Sequence, residues 1–185
     1  NYGGSTPRER TRFAVEVIEE VRKNVGADFP VSLRLSQWKQ QEFSARLVRS
    51  PKELEQFLQP LTDAGVDIFH CSTRRYWEPE FKGSSLNLAG WVKKITGKPT
   101  ITVGSVGLDA AYIENEKKSG VVQIEDLTEI ANFSNLDSLI ERLNNDEFDL
   151  VAVGRALIAN PDWVRKIESS RFEEIRPFKK EMLSQ

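Results

Sequence analysis

The sequence has very few of the residues that build disulfides and metal sites. Its 185 residues include one cysteine, Cys71, and one histidine, His70. A single cysteine excludes an internal disulfide and suits a reducing compartment. With no second cysteine or histidine nearby, a metal site is not expected either. We therefore expect a cytoplasmic chain without a metal centre.

The chain also lacks a basic surplus and a long apolar run. Its formal net charge of −2 provides no positive field for nucleic acid. No stretch approaches the roughly 18 apolar residues that span a bilayer, and the start carries no signal-peptide pattern. We expect no nucleic-acid and no membrane partner. Because the first residue is Asn1 rather than methionine, we expect this chain to be a piece of a longer protein.

Helical and strand patterns alternate along the whole sequence. Thr6–Glu9 and Ser50–Glu53 read as capping boxes that start two helices, and the first helix carries an apolar stripe that includes Phe13, Val17 and Val21. The expected strands are Pro30–Ser36, Val66–His70, Lys98–Val103 and Phe148–Val153. This alternation predicts right-handed βαβ units and a parallel sheet.

No composition break divides the chain, so we expect one domain over residues 1–185. A polar excursion from Leu108 to Ser134 has no assigned role. The charged tail from Arg171 is expected to be loose.

Two of the expected strands end in glycine, at Gly104 and Gly154. Glycine lets a ligand approach the backbone and leaves amide N–H groups free to point at it. Arg155 adds a forked donor set suited to phosphate. Together these residues predict a phosphate-binding site. The alternative is that both glycines only turn the chain.

The position of these glycines bears on the fold. A (β/α)₈ barrel builds its phosphate site from the loops after strands 7 and 8, whereas an open doubly wound sheet usually places it after the first strand. Here the glycines end the last two strands. The predicted fold class is therefore α/β, a TIM (β/α)₈ barrel of which this chain supplies about strands 5 to 8 with their helices.

Four segments in order carry a family resemblance: Tyr2–Ser5, Leu33–Ser36, Thr102–Gly104, and Val153–Leu157 followed by Asn160–Trp163. On these segments the chain resembles the C-terminal half of the Old Yellow Enzyme family, the NADH:flavin oxidoreductases with FMN in a TIM barrel. The resemblance implies that NADH or NADPH reduces FMN, which then passes hydride to an activated alkene such as an enone.

The resemblance also implies roles for individual residues. Arg34 matches the arginine beside the flavin ring, where a cation favours the reduced, anionic form. The loops with Gly104 and Ser105, and with Gly154 and Arg155, match those that hold the FMN phosphate. The family's substrate-anchoring pair precedes the Tyr2 segment, so no catalytic residue is expected in this half.

The orientation of Arg34 follows from its strand. It alternates with Leu33 and Leu35, so it points to the opposite face, toward the barrel interior. An arginine there needs an anion, either the reduced flavin or a carboxylate on a neighbouring strand.

Several other residues have two open interpretations. His70, expected at a strand end, either meets the substrate or is a hydrogen-bonded structural residue. Tyr76 and Trp77 either line the substrate mouth or cover the barrel. Arg74 and Arg75 are either solvated or meet the phosphate of the nicotinamide donor.

The predicted function is that of an FMN-dependent NAD(P)H oxidoreductase of the ene-reductase type, with a small alkene or enone as substrate. One alternative is a non-catalytic half-barrel that at most binds flavin or phosphate. Another is a different FMN barrel oxidoreductase. The expected protein partner is a second copy of the chain or the missing N-terminal half.

Overall fold

The computed structural model describes residues 2–39, 41–42, 44–108 and 134–183. Residues 109–133 of the polar excursion therefore lie outside the described residues. The chain groups into two compact units, Asn1–Gly104 with Arg142–Val151, and Ser105–Glu141 with Ala152–Gln185. The single domain over residues 1–185 stays a prediction.

The helices and strands alternate in chain order, as expected. They are α1 (Pro7–Arg10), α2 (Arg12–Val25), β1 (Ser32–Ser36), α3 (Pro51–Asp63), β2 (Ile68–Ser72), α4 (Leu88–Thr96), β3 (Thr100–Val103), α5 (Ser134–Asn144), β4 (Leu150–Val151), α6 (Arg155–Ala159) and α7 (Trp163–Glu168), followed by short 3₁₀ helices at Phe172–Glu174 and Lys180–Leu183.

Both predicted helix starts form as the sequence indicates. The Thr6 hydroxyl accepts from the Glu9 N–H, and the Glu9 carboxylate accepts from the Thr6 N–H, which completes a capping box. At α3 the Ser50 hydroxyl accepts from the Glu53 N–H, but the Glu53 carboxylate accepts from the Arg49 N–H instead. In the second motif the glutamate therefore bonds to the residue before the N-cap rather than to the N-cap residue itself, so the predicted capping box is only half formed.

The four strands form one parallel sheet in the order β1-β2-β3-β4. Arg34 pairs with His70, and His70 pairs with Ile101. The predicted α/β fold with a parallel sheet is confirmed. The strand order never reverses, as in a barrel, whereas a doubly wound sheet reverses at its switch point.

The two faces of this sheet differ sharply. One face is buried, with α4 packed on β2 and β3; its side chains include Leu35, Phe69, Cys71 and Thr102. The other face is more open. Arg34 on it is exposed, His70 is half-buried, and Leu150 is 54% exposed.

The amino edge of the sheet is closed by two copies of one device. The Asp67 carboxylate, just before β2, accepts from the Val31 N–H just before β1 at 2.8 Å. Asp149, just before β4, accepts from the Thr100 N–H at the start of β3, also at 2.8 Å. In each case the helix that precedes the first strand of the pair supplies a cation.

Arg22 of α2 pairs with Asp67, and Lys93 of α4 pairs with Asp149 at 3.0 Å. The Val31 hydrogen bond and then Arg22 hold the pKa of Asp67 below its usual value. Burial opposes ionisation of Asp149, but the Thr100 bond and Lys93 keep its pKa low as well. The strand pairs β1–β2 and β3–β4 are thus each fastened at the amino end by a charge-assisted hydrogen bond.

The apolar stripe of α2 is only partly covered. Ile18 is buried, whereas Phe13 is 59% and Val17 46% exposed. The part of the stripe that contains Phe13 and Val17 is therefore an exposed apolar face of α2.

The second unit differs most from the expectation. A helix that the sequence did not predict, α6, begins directly after Gly154. The tail was expected to be loose, but the Asn160 side chain bonds the backbone of Arg176 in both directions, and Phe178 is buried. Asn160 thereby ties the tail to the end of α6. Within the described ranges, every helix is too short or too polar to cross a bilayer.

Candidate functional site

Arg34 and His70 lie side by side on the open face of the sheet. They are register partners on adjacent strands, and the Arg34 Nη2 donates to the Ser72 hydroxyl at 3.2 Å. The Ser36 hydroxyl in turn donates to the Ser72 carbonyl at 3.3 Å. These contacts orient an exposed guanidinium from the middle of β1 toward Ser72, the last residue of β2.

His70 stands in the middle of β2, not at the end of a strand as the sequence predicted. The strand runs from Ile68 to Ser72, two residues later than expected, because Asp67 is used at the amino edge. Burial, and secondly the charge of Arg34, lower the pKa of His70. Its Nε2 is buried and makes no hydrogen bond within the described residues. A neutral imidazole on this face thus has an unused polar atom.

Gly104 has a packing reason to be glycine. Its φ is +150°, and a Cβ there would lie 2.6 Å from the Thr73 Oγ1. The Thr73 hydroxyl donates to the Val103 carbonyl at 2.7 Å, and the Tyr76 N–H donates to the Gly104 carbonyl at 3.1 Å. The close approach of the loop after β2 is therefore enough to require glycine here.

The second unit packs the turn that follows Ser105 against the residue that follows Arg155. Ser105 adopts a left-handed conformation with φ +53°, which is uncommon for serine and concentrates at functional sites. At Gly107, two residues on, a Cβ would lie 3.1 Å from the Cβ of Ala156, which follows Arg155. The turn with Ser105 thus packs beside the start of α6. The sequence analysis did not assign a role to Gly107, although Gly107 closes the turn that begins at Gly104.

Gly154 contrasts with Gly104. Its φ is −104°, which any residue adopts, and a Cβ would meet nothing within 4 Å among the described residues. No neighbouring atom among the described residues requires glycine there. Open space at Gly154, directly before Arg155 in the chain, suits a phosphate group that approaches the backbone. The residues present therefore fit the phosphate of FMN.

Tyr76 and Trp77 do not share one environment. The Tyr76 ring is 1% exposed, burial raises its pKa to about 12, and it meets the Trp77 ring edge-on at 5.1 Å. The Asn87 side chain donates to the Tyr76 carbonyl at 2.7 Å. This burial favours a packing role for Tyr76, while Trp77 is half-buried.

Sequence reasoning also missed an acidic residue at the carboxyl edge. Burial raises the pKa of Glu80 to about 7, against the opposing effects of Arg46 and Gln37. The Gln37 amide donates to the Glu80 carboxylate at 2.9 Å. Only the position of Gln37 directly after a strand could have pointed to this pair.

Comparison with known proteins agrees with this geometry. The model of the NADH:flavin oxidoreductase / NADH oxidase family matches residues 1–125. An NADH oxidase from Thermoanaerobacter brockii is 32% identical over 183 residues, which cover 95% of this chain and 23% of that protein. A cinnamate reductase from Clostridium sporogenes is 29% identical over 195 residues, covering 95% of this chain and 25% of that protein.

A solved structure shares the fold. The old yellow enzyme homologue from Zymomonas mobilis superposes with a TM-score of 0.61 at 16% identity, over 97% of this chain and 41% of that one. The chain thus spans about a quarter of the two curated relatives and less than half of the solved structure.

These matches confirm the resemblance to the Old Yellow Enzyme family. They also confirm, at the level of the family, FMN with a reduced nicotinamide as electron donor. The roles of Arg34, Gly104, Ser105, Gly154 and Arg155, and of His70, Tyr76 and Trp77, stay predictions. The chain belongs to the NADH:flavin oxidoreductase / NADH oxidase family, which includes the old yellow enzymes.

Proposed function

We propose that the full-length protein is an FMN-dependent NAD(P)H oxidoreductase that reduces activated alkenes such as enones, and that this chain forms about strands 5 to 8 of its barrel. The observation that carries the proposal is the two-faced sheet. A barrel covers the outer face of its strands with helices and turns the other face inward. The open face here carries Arg34 and His70, which an isolated open sheet would leave in solvent.

The chemistry that FMN supplies when bound is the transfer of a hydride equivalent from NADH or NADPH to the alkene. Ser105, Gly154 and Arg155 would hold its phosphate. Arg34 would stabilise negative charge that develops on the ring side of the site, because a fixed cation lowers the cost of such charge in a water-poor cavity.

The residues around Arg34 prepare it for that role. The Ser72 hydroxyl accepts one of its N–H groups at 3.2 Å, so the guanidinium is oriented before any ligand arrives. His70 beside it is kept neutral by burial and by Arg34 itself. The pair therefore presents one positive charge rather than two.

Purification of the full-length protein tests this proposal. We expect a yellow protein with one FMN, reduced anaerobically by NADH or NADPH and reoxidised by an enone such as 2-cyclohexenone. A protein that binds flavin but is reduced by neither donor would support the non-catalytic half-barrel instead. A protein that takes up no flavin would contradict the proposal.

A further inference from the structure

A buried tryptophan in the second unit lies against one of the two segments assigned to the FMN phosphate. That segment is the tight turn after β3, which a hydrogen bond from the Leu108 N–H to the Ser105 carbonyl closes at 3.2 Å. Trp163 is the first residue of α7 and is 6% exposed. The other assigned segment is the start of α6, and it meets the same turn.

Gly107 is the point of the turn where these contacts converge. A Cβ there would lie 3.1 Å from the Cζ2 of Trp163 and 3.1 Å from the Cβ of Ala156, closer than the roughly 3.5–4.0 Å at which carbon atoms pack. Its φ of +69° also lies in the left-handed region that favours glycine. The turn therefore rests directly on the tryptophan ring and on α6, with no side chain between them.

The size of the Trp163 ring, rather than its polar atom, explains its place here. The indole Nε1 is buried and makes no hydrogen bond within the described residues. A buried N–H without an acceptor is unfavourable. Among the described residues, hydrogen bonding of the indole thus gives no reason for tryptophan at this position, whereas the contact of its six-membered ring with Gly107 does.

The backbone fixes Trp163 relative to α6. The Trp163 N–H donates to the Asn160 carbonyl at 2.9 Å, and the Asn160 N–H donates to the Ala156 carbonyl at 3.0 Å. The Asn160 side chain is fully buried and bonds the backbone of Arg176 in both directions. The ring is therefore tied to α6 and to the tail, and it forms a fixed support for the turn after β3.

We propose that Trp163 is a positioning residue for the phosphate of FMN, whose ring supports Gly107 and sets the spacing between the turn after β3 and the start of α6. The inference rests on the proposed function in that these two segments hold the phosphate. Because hydrogen-bond distances span only about 0.5 Å, a small change in that spacing weakens the bonds to the phosphate. Trp163 acts through the two segments and does not itself touch the cofactor.

The test measures, by flavin fluorescence, the affinity of the full-length protein freed of flavin for FMN and for riboflavin, which lacks the phosphate. Trp163→Phe keeps an aromatic ring but removes the atoms that contact Gly107. We expect it to weaken FMN binding about tenfold and to change riboflavin binding less than about twofold. An unchanged ratio of the two affinities, even with a lower unfolding free energy, would make Trp163 a purely structural residue and overturn the proposal.

Trp91→Phe is the matched control. Trp91 lies on α4 in the other unit, and its Nε1 is likewise buried without a partner within the described residues. The same loss of ring size there should leave both affinities unchanged. If Trp91→Phe lowered the ratio as much as Trp163→Phe, the effect would not be specific to the phosphate segments, and the proposal would be wrong.

Gly107→Ala provides a second test, which holds even if Trp163→Phe does not fold. The added methyl pushes the turn away from an intact Trp163 ring, so we again expect about a tenfold loss for FMN and little for riboflavin. In the double variant the smaller ring leaves room for the methyl, so the combined loss should be less than the product of the two single losses. An unchanged ratio in Gly107→Ala, or losses that simply multiply, would contradict the proposal.

These measurements also separate this proposal from the proposed function. A native protein that prefers FMN to riboflavin, with the same preference in Trp163→Phe, contradicts the role of Trp163 and retains the proposed function. A protein in which Trp163→Phe selectively weakens FMN, yet which reduces no alkene, contradicts the proposed function and retains the role of Trp163. A native protein with no preference for FMN contradicts the phosphate assignment and this proposal together.

Discussion

The two edges of the four-stranded sheet differ in how their charges are held. At the amino edge, Asp67 and Asp149 each accept a hydrogen bond from the start of a neighbouring strand and are each paired with a cation from the helix that precedes that strand. Toward the carboxyl edge, the exposed Arg34 of mid-β1 donates to Ser72 at the end of β2, and burial raises the pKa of Glu80 to about 7.

The charges at the amino edge therefore serve stability, and those toward the carboxyl edge serve function. Paired charges that satisfy backbone N–H groups stabilise the fold and leave nothing to offer a ligand. An exposed cation and a carboxyl poised near neutrality lower stability or contribute nothing to it, and are of use only when a ligand is present. The same division between the two ends of the strands is general in barrel enzymes.

The largest expected effect is at the carboxyl edge. Arg34→Met should lower the flavin reduction potential and slow reduction by NADH or NADPH by about a hundredfold, because the cation that favours the reduced ring is gone. Stopped-flow reduction and a potentiometric titration measure both quantities. Melting temperature should not change, and Arg49→Met serves as the control. Intact potential and rate would make Arg34 structural.

Arg155→Ala should weaken FMN binding by about 1.5–3 kcal/mol, the scale of a charge-assisted hydrogen bond. The loss should exceed that caused by Arg34→Met, because Arg155 is assigned to the phosphate and Arg34 to the ring. Flavin fluorescence on dilution gives the dissociation constant. Arg165→Ala, on the exposed side of α7, is the control. Unchanged affinity would contradict the phosphate assignment.

At the amino edge the expected effect is on stability alone. Asp149→Ala leaves the buried Thr100 N–H without its acceptor and should cost about 1–3 kcal/mol of unfolding free energy, measured by urea denaturation, with FMN affinity unchanged. Because folding lowers the pKa of Asp149, this contribution is present above the unfolded value and fades as the pH falls through the folded one. Asp28→Ala, at an exposed site, should cost little. If Asp149→Ala and Asp28→Ala lowered the unfolding free energy equally, Asp149 would have no special role in stability, and the distinction between the two edges would be wrong.

Glu80→Gln has the smallest expected effect, and its sign is opposite. Burial raises the pKa of Glu80 from 4.5 to about 7, so the native protein loses stability as the pH rises through that window. The variant should therefore be more stable than the native protein by about 1 kcal/mol above neutral pH, with little difference in acid. Denaturation curves on both sides of the window check this. A destabilised variant at high pH would show that the Glu80 carboxylate is needed in its charged form.

Local signals in the sequence predicted much of the fold. The capping residues Thr6 and Ser50 act within three residues of their partners, so the helix starts at α1 and α3 were readable. The parallel sheet followed from the alternation of elements. Arg34 was placed on the face opposite Leu35 by strand periodicity alone, and Leu35 is indeed buried.

The features that the sequence did not predict depend on contacts between segments that are distant in the chain. β2 begins later than expected because Asp67 reaches Val31, 36 residues away. Glu80 reads as one more polar loop residue until the Gln37 amide, 43 residues earlier, is placed against it. The packing of Gly107 on Ala156 is likewise invisible in a local pattern. Sequence periodicity predicts the face of a strand on which a residue lies, whereas strand boundaries and the electrostatics of the site depend on contacts between distant segments.

The central claim is that the open face of this sheet is the interior of a closed barrel in the full-length protein. Leu150→Cys places a thiol on that face, where the side chain is 54% exposed in this chain, and the native Cys71 is buried, which keeps the background low. Lys52→Cys, on the exposed side of α3, provides the comparison. We predict that a thiol reagent labels the cysteine at position 150 at least about tenfold more slowly than that at position 52 under native conditions, and equally fast in denaturant. Equal native rates would show an open sheet and contradict the barrel.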